Sequence, residues 1–135
     1  MTDKVENANY PTISVAFEGP AVVFVAVDLK GERMMHVPVD VLGEAFGRTA
    51  AKVFDWCLLD QQATDCSAFG EPPSDREQVP STRIMSMDHN GVFLGWVDEA
   101  GWGHRTIRLG AGAIRDTVDE LVAAVRRALD RLLEP

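Results

Sequence analysis

Three histidines, His36, His89 and His104, and two cysteines, Cys57 and Cys66, are the residues from which this chain would have to assemble a zinc site. Structural zinc draws its ligands in close pairs such as C-x2-C, because two thiolates from one turn reach the same tetrahedral ion. No such pair occurs here, so neither a metal nor a cofactor is expected. Cys57 beside a histidine base is a chemically possible nucleophile, but it falls at an inward position of a predicted helix, where a reduced thiol acts as a small hydrophobe. Cys66 has no identifiable base.

Asp28 and Asp98 are the natural candidates for a pair of acid–base carboxylates. Both sit in a Val-Asp-x-x-Gly context that marks them as turn formers. Gly110-Ala111-Gly112 precedes a predicted helix and offers amides that an anion could use, although a flexible strand-to-helix connection accounts for it more simply. The spacings that hold phosphate loops, dinucleotide turns, nucleophile elbows and metalloprotease helices in fixed geometry are all absent. The sequence therefore assigns no reaction, and it points away from an enzyme.

Composition narrows the remaining classes. A chain of 135 residues suits one domain, 1–135, which buries enough surface to fold without a disulfide or a metal. The net charge of −8 disfavours direct nucleic-acid binding, which relies on Lys and Arg neutralising phosphates. No apolar run reaches the roughly 20 residues that span a bilayer, and Met1 to Asn9 lacks the apolar core of a signal peptide. A cytoplasmic protein without membrane contact is the expectation, and two cysteines fit a reducing compartment.

The elements read strand, strand, strand, helix, twice. Thr12 to Phe17 alternates with the period of a half-buried strand. Ala21 to Val27 is almost wholly apolar, which predicts cover on both faces or one face placed in an interface, and hence homodimerisation. Arg33 to Val39 returns, and Asp40 is placed to cap a helix carrying Leu42, Phe46, Thr49, Ala50, Val53 and Cys57 on one stripe. Gly43 and Gly47 lie four apart on that helix, where they either permit close approach or are merely tolerated.

Gln61 to Ser81 reads as a loop of about twenty residues, long enough to be a linker or a binding loop. In the second half, Asn90-Gly91 between apolar runs predicts a hairpin. A strand from His104 to Leu109 and a final helix with a Thr117/Glu120 capping box follow. Thr12, Val22, Val27, Asp28 and Gly31 recur seventy residues later as Thr82, Val92, Val97, Asp98 and Gly101. The fold expected is α+β: two similar β-β-β-α units, 12–62 and 82–133, their strands forming antiparallel sheet and their two amphipathic helices packed on one face.

For function, small size, acidity and missing motifs favour a cytosolic non-enzymatic module that binds a protein and regulates or inhibits a macromolecule, in the manner of immunity, antitoxin-like or phage counter-defence proteins. Trp102 and Phe69 are the aromatic anchors expected of its contact surface. Glu71, Asp75, Asp98 and Glu99 are the acidic residues expected to steer a partner with a basic surface. The alternatives are a small-molecule sensor or small enzyme with a pocket near His36, His104, Trp96 and Trp102, and a structural subunit of a phage or secretion assembly.

Overall fold

Alternating apolar residues make each strand two-faced, and the register of pairing decides which face is buried. The computed structural model describes residues 12–19, 21–28, 34–59, 64–69, 82–88, 91–98 and 101–133, with the side chains of 59, 64–69 and 98 outside that description. Seven strands appear: β1 (Thr12–Glu18), β2 (Ala21–Asp28), β3 (Met34–Val37), β4 (Thr64–Phe69), β5 (Thr82–Met87), β6 (Gly91–Asp98) and β7 (Gly101–Arg108). Helix α1 (Val39–Leu59) follows β3, and α2 (Ala113–Leu133) follows β7. The sheet is antiparallel with the order β3-β2-β1-β5-β6-β7-β4. The α+β class is as expected.

One sheet face carries Ile13, Val15, Phe17, Val25, Val27, Met85, Met87, Val92, Leu94, Trp96 and Ile107, all buried. Both helices close over it. Phe46, Ala50, Val53, Phe54, Cys57 and Leu58 of α1 and Val118, Leu121, Val122, Val125, Ala128 and Leu129 of α2 complete a single core. Cys57 is a buried free thiol within it, as its helical phase predicts.

Several local expectations need correction. Six residues of the stretch read as a loop, 64–69, form β4, which needs only one hydrogen-bonding partner because it sits at the sheet edge beside β7. The rest of that stretch from 70 onward lies outside the described residues. Helix α1 begins at Val39, one residue before Asp40, so Asp40 lies in the first turn, where its charge complements the helix dipole without being the cap. The helix is interrupted at Gly43, whose φ of 83° and ψ of 167° suit only glycine. Gly47 serves differently: a Cβ there would lie 3.3 Å from Val22 Cγ2, so its bareness lets β2 approach. Helix α2 starts at Ala113, four residues before Thr117, because Gly112 turns the chain at φ 140°. Thr117 is therefore inside the helix, its hydroxyl donating to the Ala113 carbonyl at 2.8 Å, and the capping box does not form.

Two buried arginines lock α1 to the sheet. Arg105 Nη1 donates to the carbonyls of Leu58 at 2.6 Å and Cys57 at 3.3 Å, supplying a cation and donors where the helix ends. Arg83 donates through Nη2 to the Gly19 carbonyl at 2.7 Å and faces Asp55 at 3.7 Å. Its guanidinium lies 4.8 Å from the Phe17 ring centroid and 5.2 Å from that of Phe54. Burial pushes the Arg83 pKa down and Asp55 pulls it up, yet an arginine stays charged in this setting.

Because Asp55 is partly solvated, Asp55→Ala is expected to cost under about 1 kcal/mol. Arg83→Ala, which empties a buried site and leaves the Gly19 carbonyl without its donor, is expected to cost roughly 3 kcal/mol or more. Urea titrations of both variants check the contrast. Equal losses would mean that the ion pair, and not the burial, holds Arg83. At Gly91 an added Cβ would collide with the Ile107 carbonyl, whereas at Gly110 it meets open space. Gly91→Ala is therefore expected to cost at least about 2 kcal/mol and Gly110→Ala almost nothing, as read from thermal melts.

Candidate interaction face

Both helices lie on one side of the sheet, and among the described elements none covers the opposite face. Register carries the same parity across the whole sheet: Phe24 opposes Ala16, Ala16 opposes Ile84, Ile84 opposes Gly95, and Gly95 opposes His104. A neighbouring row runs His36, Ala26, Ser14, Ser86, Phe93, Thr106. Near the opposite strand ends Glu18, Thr82, Val97 and Trp102 form a third row.

Large apolar side chains stand exposed on this face. Trp102 is 56% exposed, Met34 51%, Val97 49%, and Phe24 and Phe93 38% each. They are not scattered. The Trp102 ring stacks on His104 at 5.2 Å and 24°, and His104 stacks on Phe93 at 5.6 Å and 22°. Phe24 leans on His36 at 6.0 Å on the other flank. Between these flanks lie Ala16, Ile84 and Gly95 and a polar pair, Ser14 Oγ to Ser86 Oγ at 2.9 Å. Contiguous apolar surface of this kind marks contact sites on soluble proteins.

The strand β2, expected to be covered on both faces or to place one face in an interface, has one face in the core and, among the described elements, none packed on the other. Val25 and Val27 enter the core, while Phe24 faces outward and Val23, at the bulge opposite Ala16 and Phe17, is exposed.

The sequence-picked contact residues distribute as follows. Trp102 is exposed on β7, and Phe69 falls opposite His104 in the β4–β7 register, so both positions meet at one corner of the sheet. Asp98 ends β6, opposite Gly101. Glu71, Asp75 and Glu99 lie outside the described residues, as do His89 and Asn90 of the predicted hairpin, whose flanks Asp88 and Gly91 pair through Asp88 N and the Gly91 carbonyl at 3.1 Å.

The alternative pocket is not assembled. Trp96 is buried on the helix side, while His36 and His104 occupy the bare face on β3 and β7, with four strands between them. Among the described residues, no three His, Cys, Asp or Glu side chains converge on a common point. Two open clefts flank the structure. One of about 540 Å³ lies against Ala21, Val22, Gly43, Gly47 and Arg48, and one of about 760 Å³ lies at the sheet end beside Ser86, Asp88, Phe93 and Arg108. Neither contains a nucleophile paired with a base. No described helix is long and apolar enough to cross a membrane.

Compared with protein-family models, curated proteins and solved structures, the chain matches none.

Arg83 and Arg105 are the structurally decisive residues that alternation hid, because a charged letter reads as outward-facing. Parity could have found them: Arg83 shares its side of β5 with Met85 and Met87, and Arg105 shares its side of β7 with Ile107.

Trp102 lies outside the core, so Trp102→Ala is expected to lower stability by no more than about 1.5 kcal/mol, the worth of its ring stacking. Chemical denaturation measures this. A loss above about 3 kcal/mol, the range of core aromatic truncation, would place the ring in the core.

Proposed function

We propose that this protein is a non-enzymatic cytoplasmic binding module that regulates or inhibits a protein partner, and that the bare sheet face is its contact surface. The observation carrying this reading is the stacked Phe93–His104–Trp102 ladder on an otherwise uncovered antiparallel sheet. Exposed aromatics cost solvation, and interface hot spots are enriched in tryptophan. A sheet holds them rigidly, so little side-chain entropy is lost on binding.

The chemistry of the face supports a partner with an apolar patch. Its described titratable side chains are His36 and His104 within the aromatic flanks and Glu18, Asp28 and Arg108 nearer the strand ends. The net charge of −8, with Glu71, Asp75, Asp98 and Glu99 as the acids of this reading, suits a partner whose apolar patch is ringed by Lys or Arg. The acids raise the encounter rate and the aromatic residues set the lifetime.

The test is retention of a protein from a host extract by the immobilised wild type, repeated with Trp102→Ala and Phe93→Ala. A stoichiometric protein is expected to be retained by the wild type. Each substitution is expected to weaken binding by about 2 kcal/mol or more without unfolding the module, and raised salt is expected to slow association. Full retention by both folded variants would remove the face from the reading. Retention of a small metabolite alone would favour the sensor alternative.

A further inference from the structure

We propose that the cleft at the sheet end beside Gly91 is a binding site for a free α-amino acid with an apolar side chain. The site is separate from the protein contact described above and shares only Phe93 with it.

The space arises from one ring and two glycines on β6. Phe93 leans along its own strand over Gly95, where an added Cβ would lie 3.5 Å from the ring, and it stacks on His104, which opposes Gly95. The other end of the strand is left open. Gly91 carries no side chain, and a Cβ there would strike the Ile107 carbonyl, so on β6 no side chain rises between Phe93 and the strand end. The cleft of about 760 Å³ that results has Thr12 and Asp88 on one side and Thr106 and Arg108 on the other.

Opposite charges flank this gap without neutralising one another. Among the described residues Arg108 forms an ion pair with no carboxylate, and the Asp88 carboxylate accepts from the Gly91 amide at 3.2 Å through Oδ1. Each charge is left to a ligand. Thr106 and Arg108 lie two residues apart on β7 and so stand on the same face, where a hydroxyl and a guanidinium can donate to one carboxylate. Across the gap Thr12 stands beside Asp88 by continuation of the β1–β5 register, and the pair offers acceptors to an ammonium. A simple anion would meet Asp88 and a simple cation would meet Arg108. A zwitterion satisfies both sides.

Size and apolar lining select within that class. With β6 between them, β5 and β7 stand about 10 Å apart. An α-amino acid carrying a charge-assisted hydrogen bond of about 2.8 Å at each end spans most of that gap, and the long Arg108 side chain covers the rest. The exposed Phe93 ring and the half-buried Leu109 then face the side chain of the ligand, which favours leucine or phenylalanine over a polar amino acid.

Calorimetric titration of the wild type with L-leucine and L-phenylalanine tests this, beside isocaproate and isoamylamine, which keep the leucine chain and one charge each. At least one of the two amino acids is expected to bind in the millimolar range or tighter, with the singly charged analogues at least about tenfold weaker. Arg108→Gln and Asp88→Asn are each expected to weaken the amino acid by about tenfold or more, with native circular dichroism. Asp88 also closes the β5–β6 turn, so amide shifts of Gly91, Thr106 and Arg108 on titrating the unmutated protein keep the test open if that variant fails to fold. Absence of binding by both amino acids overturns the site. Equal affinity for isocaproate overturns it in favour of a plain anion site, and undiminished affinity in folded Arg108→Gln, or amide shifts confined to other strands, overturns it by placing the ligand elsewhere. Retention of a host protein is read separately, so none of these results bears on the contact face.

Discussion

The pairing of β1 with β5 joins chain segments some seventy residues apart, and the remaining structure hangs on its register. Phe17 opposes Arg83, Val15 opposes Met85 and Ile13 opposes Met87 on the helix side, while Ser14 opposes Ser86 on the bare side. That register sets the Arg83 guanidinium on Phe17 and beneath Phe54, within reach of Asp55 and the Gly19 carbonyl. One pairing thus couples the middle of the sheet, the β1–β2 turn and the midpoint of α1. A slip of β5 by one residue would exchange its inward side chains for outward ones, bringing Ser86 into the core and Arg83 into solvent.

Coverage of only one face is a consequence of connectivity. Both helices follow third strands, β3 and β7, which lie on opposite flanks of the sheet, and both fold back over the same side to meet at its centre. Together they fill that side, with Arg105 tying the end of α1 to β7. No third helix among the described elements is left to cover the other side. An antiparallel sheet tolerates this, unlike a parallel one, provided that the open face is polar. Here the flanks of the open face are aromatic, which is the observation on which the proposed contact surface rests.

Much of this architecture is legible in the residues. Alternation in Thr12 to Phe17, the Asn-Gly dipeptide, the two amphipathic stripes and the inward phase of Cys57 all report local structure, and each appears where its period puts it. What failed was anything decided by a neighbour. The apolar run of β2 cannot reveal that Val25 faces a helix while Phe24 faces solvent. Trp96 and Trp102 are the same residue type around one turn, but hairpin register sets Trp96 inward against Gly103 and Trp102 outward against Val97. Strand β4 escaped because its sequence, Thr-Asp-Cys-Ser-Ala-Phe, has little apolar alternation, and an edge strand held by backbone bonds to one neighbour does not need it. Helix α2 starts ahead of its Thr117/Glu120 signal because Gly112 turns the chain just before Ala113, and α1 is interrupted at Gly43 by a conformation that no capping pattern reports. The aromatic ladder is only half legible in the residues: Trp102 stands out by type, but Phe93 and His104 become its neighbours only through cross-strand register.

The two opposing tendencies of the chain, an acidic balance and an apolar face, are separated in space, and that separation has a physical consequence. Uniformly mixed acids would have made the face soluble and useless for apolar contact, since each buried carboxylate would need a counter-charge. Among the described acids, Asp40, Glu44, Asp55, Asp116, Asp119, Glu120 and Asp130 belong to the two helices, across the sheet from that face, while Glu18 and Asp28 stand at strand ends. At the middle of the face the Ser14 and Ser86 hydroxyls share one hydrogen bond at 2.9 Å, so one hydroxyl hydrogen of the pair still calls for an acceptor, and a polar spot interrupts the apolar surface between the aromatic flanks.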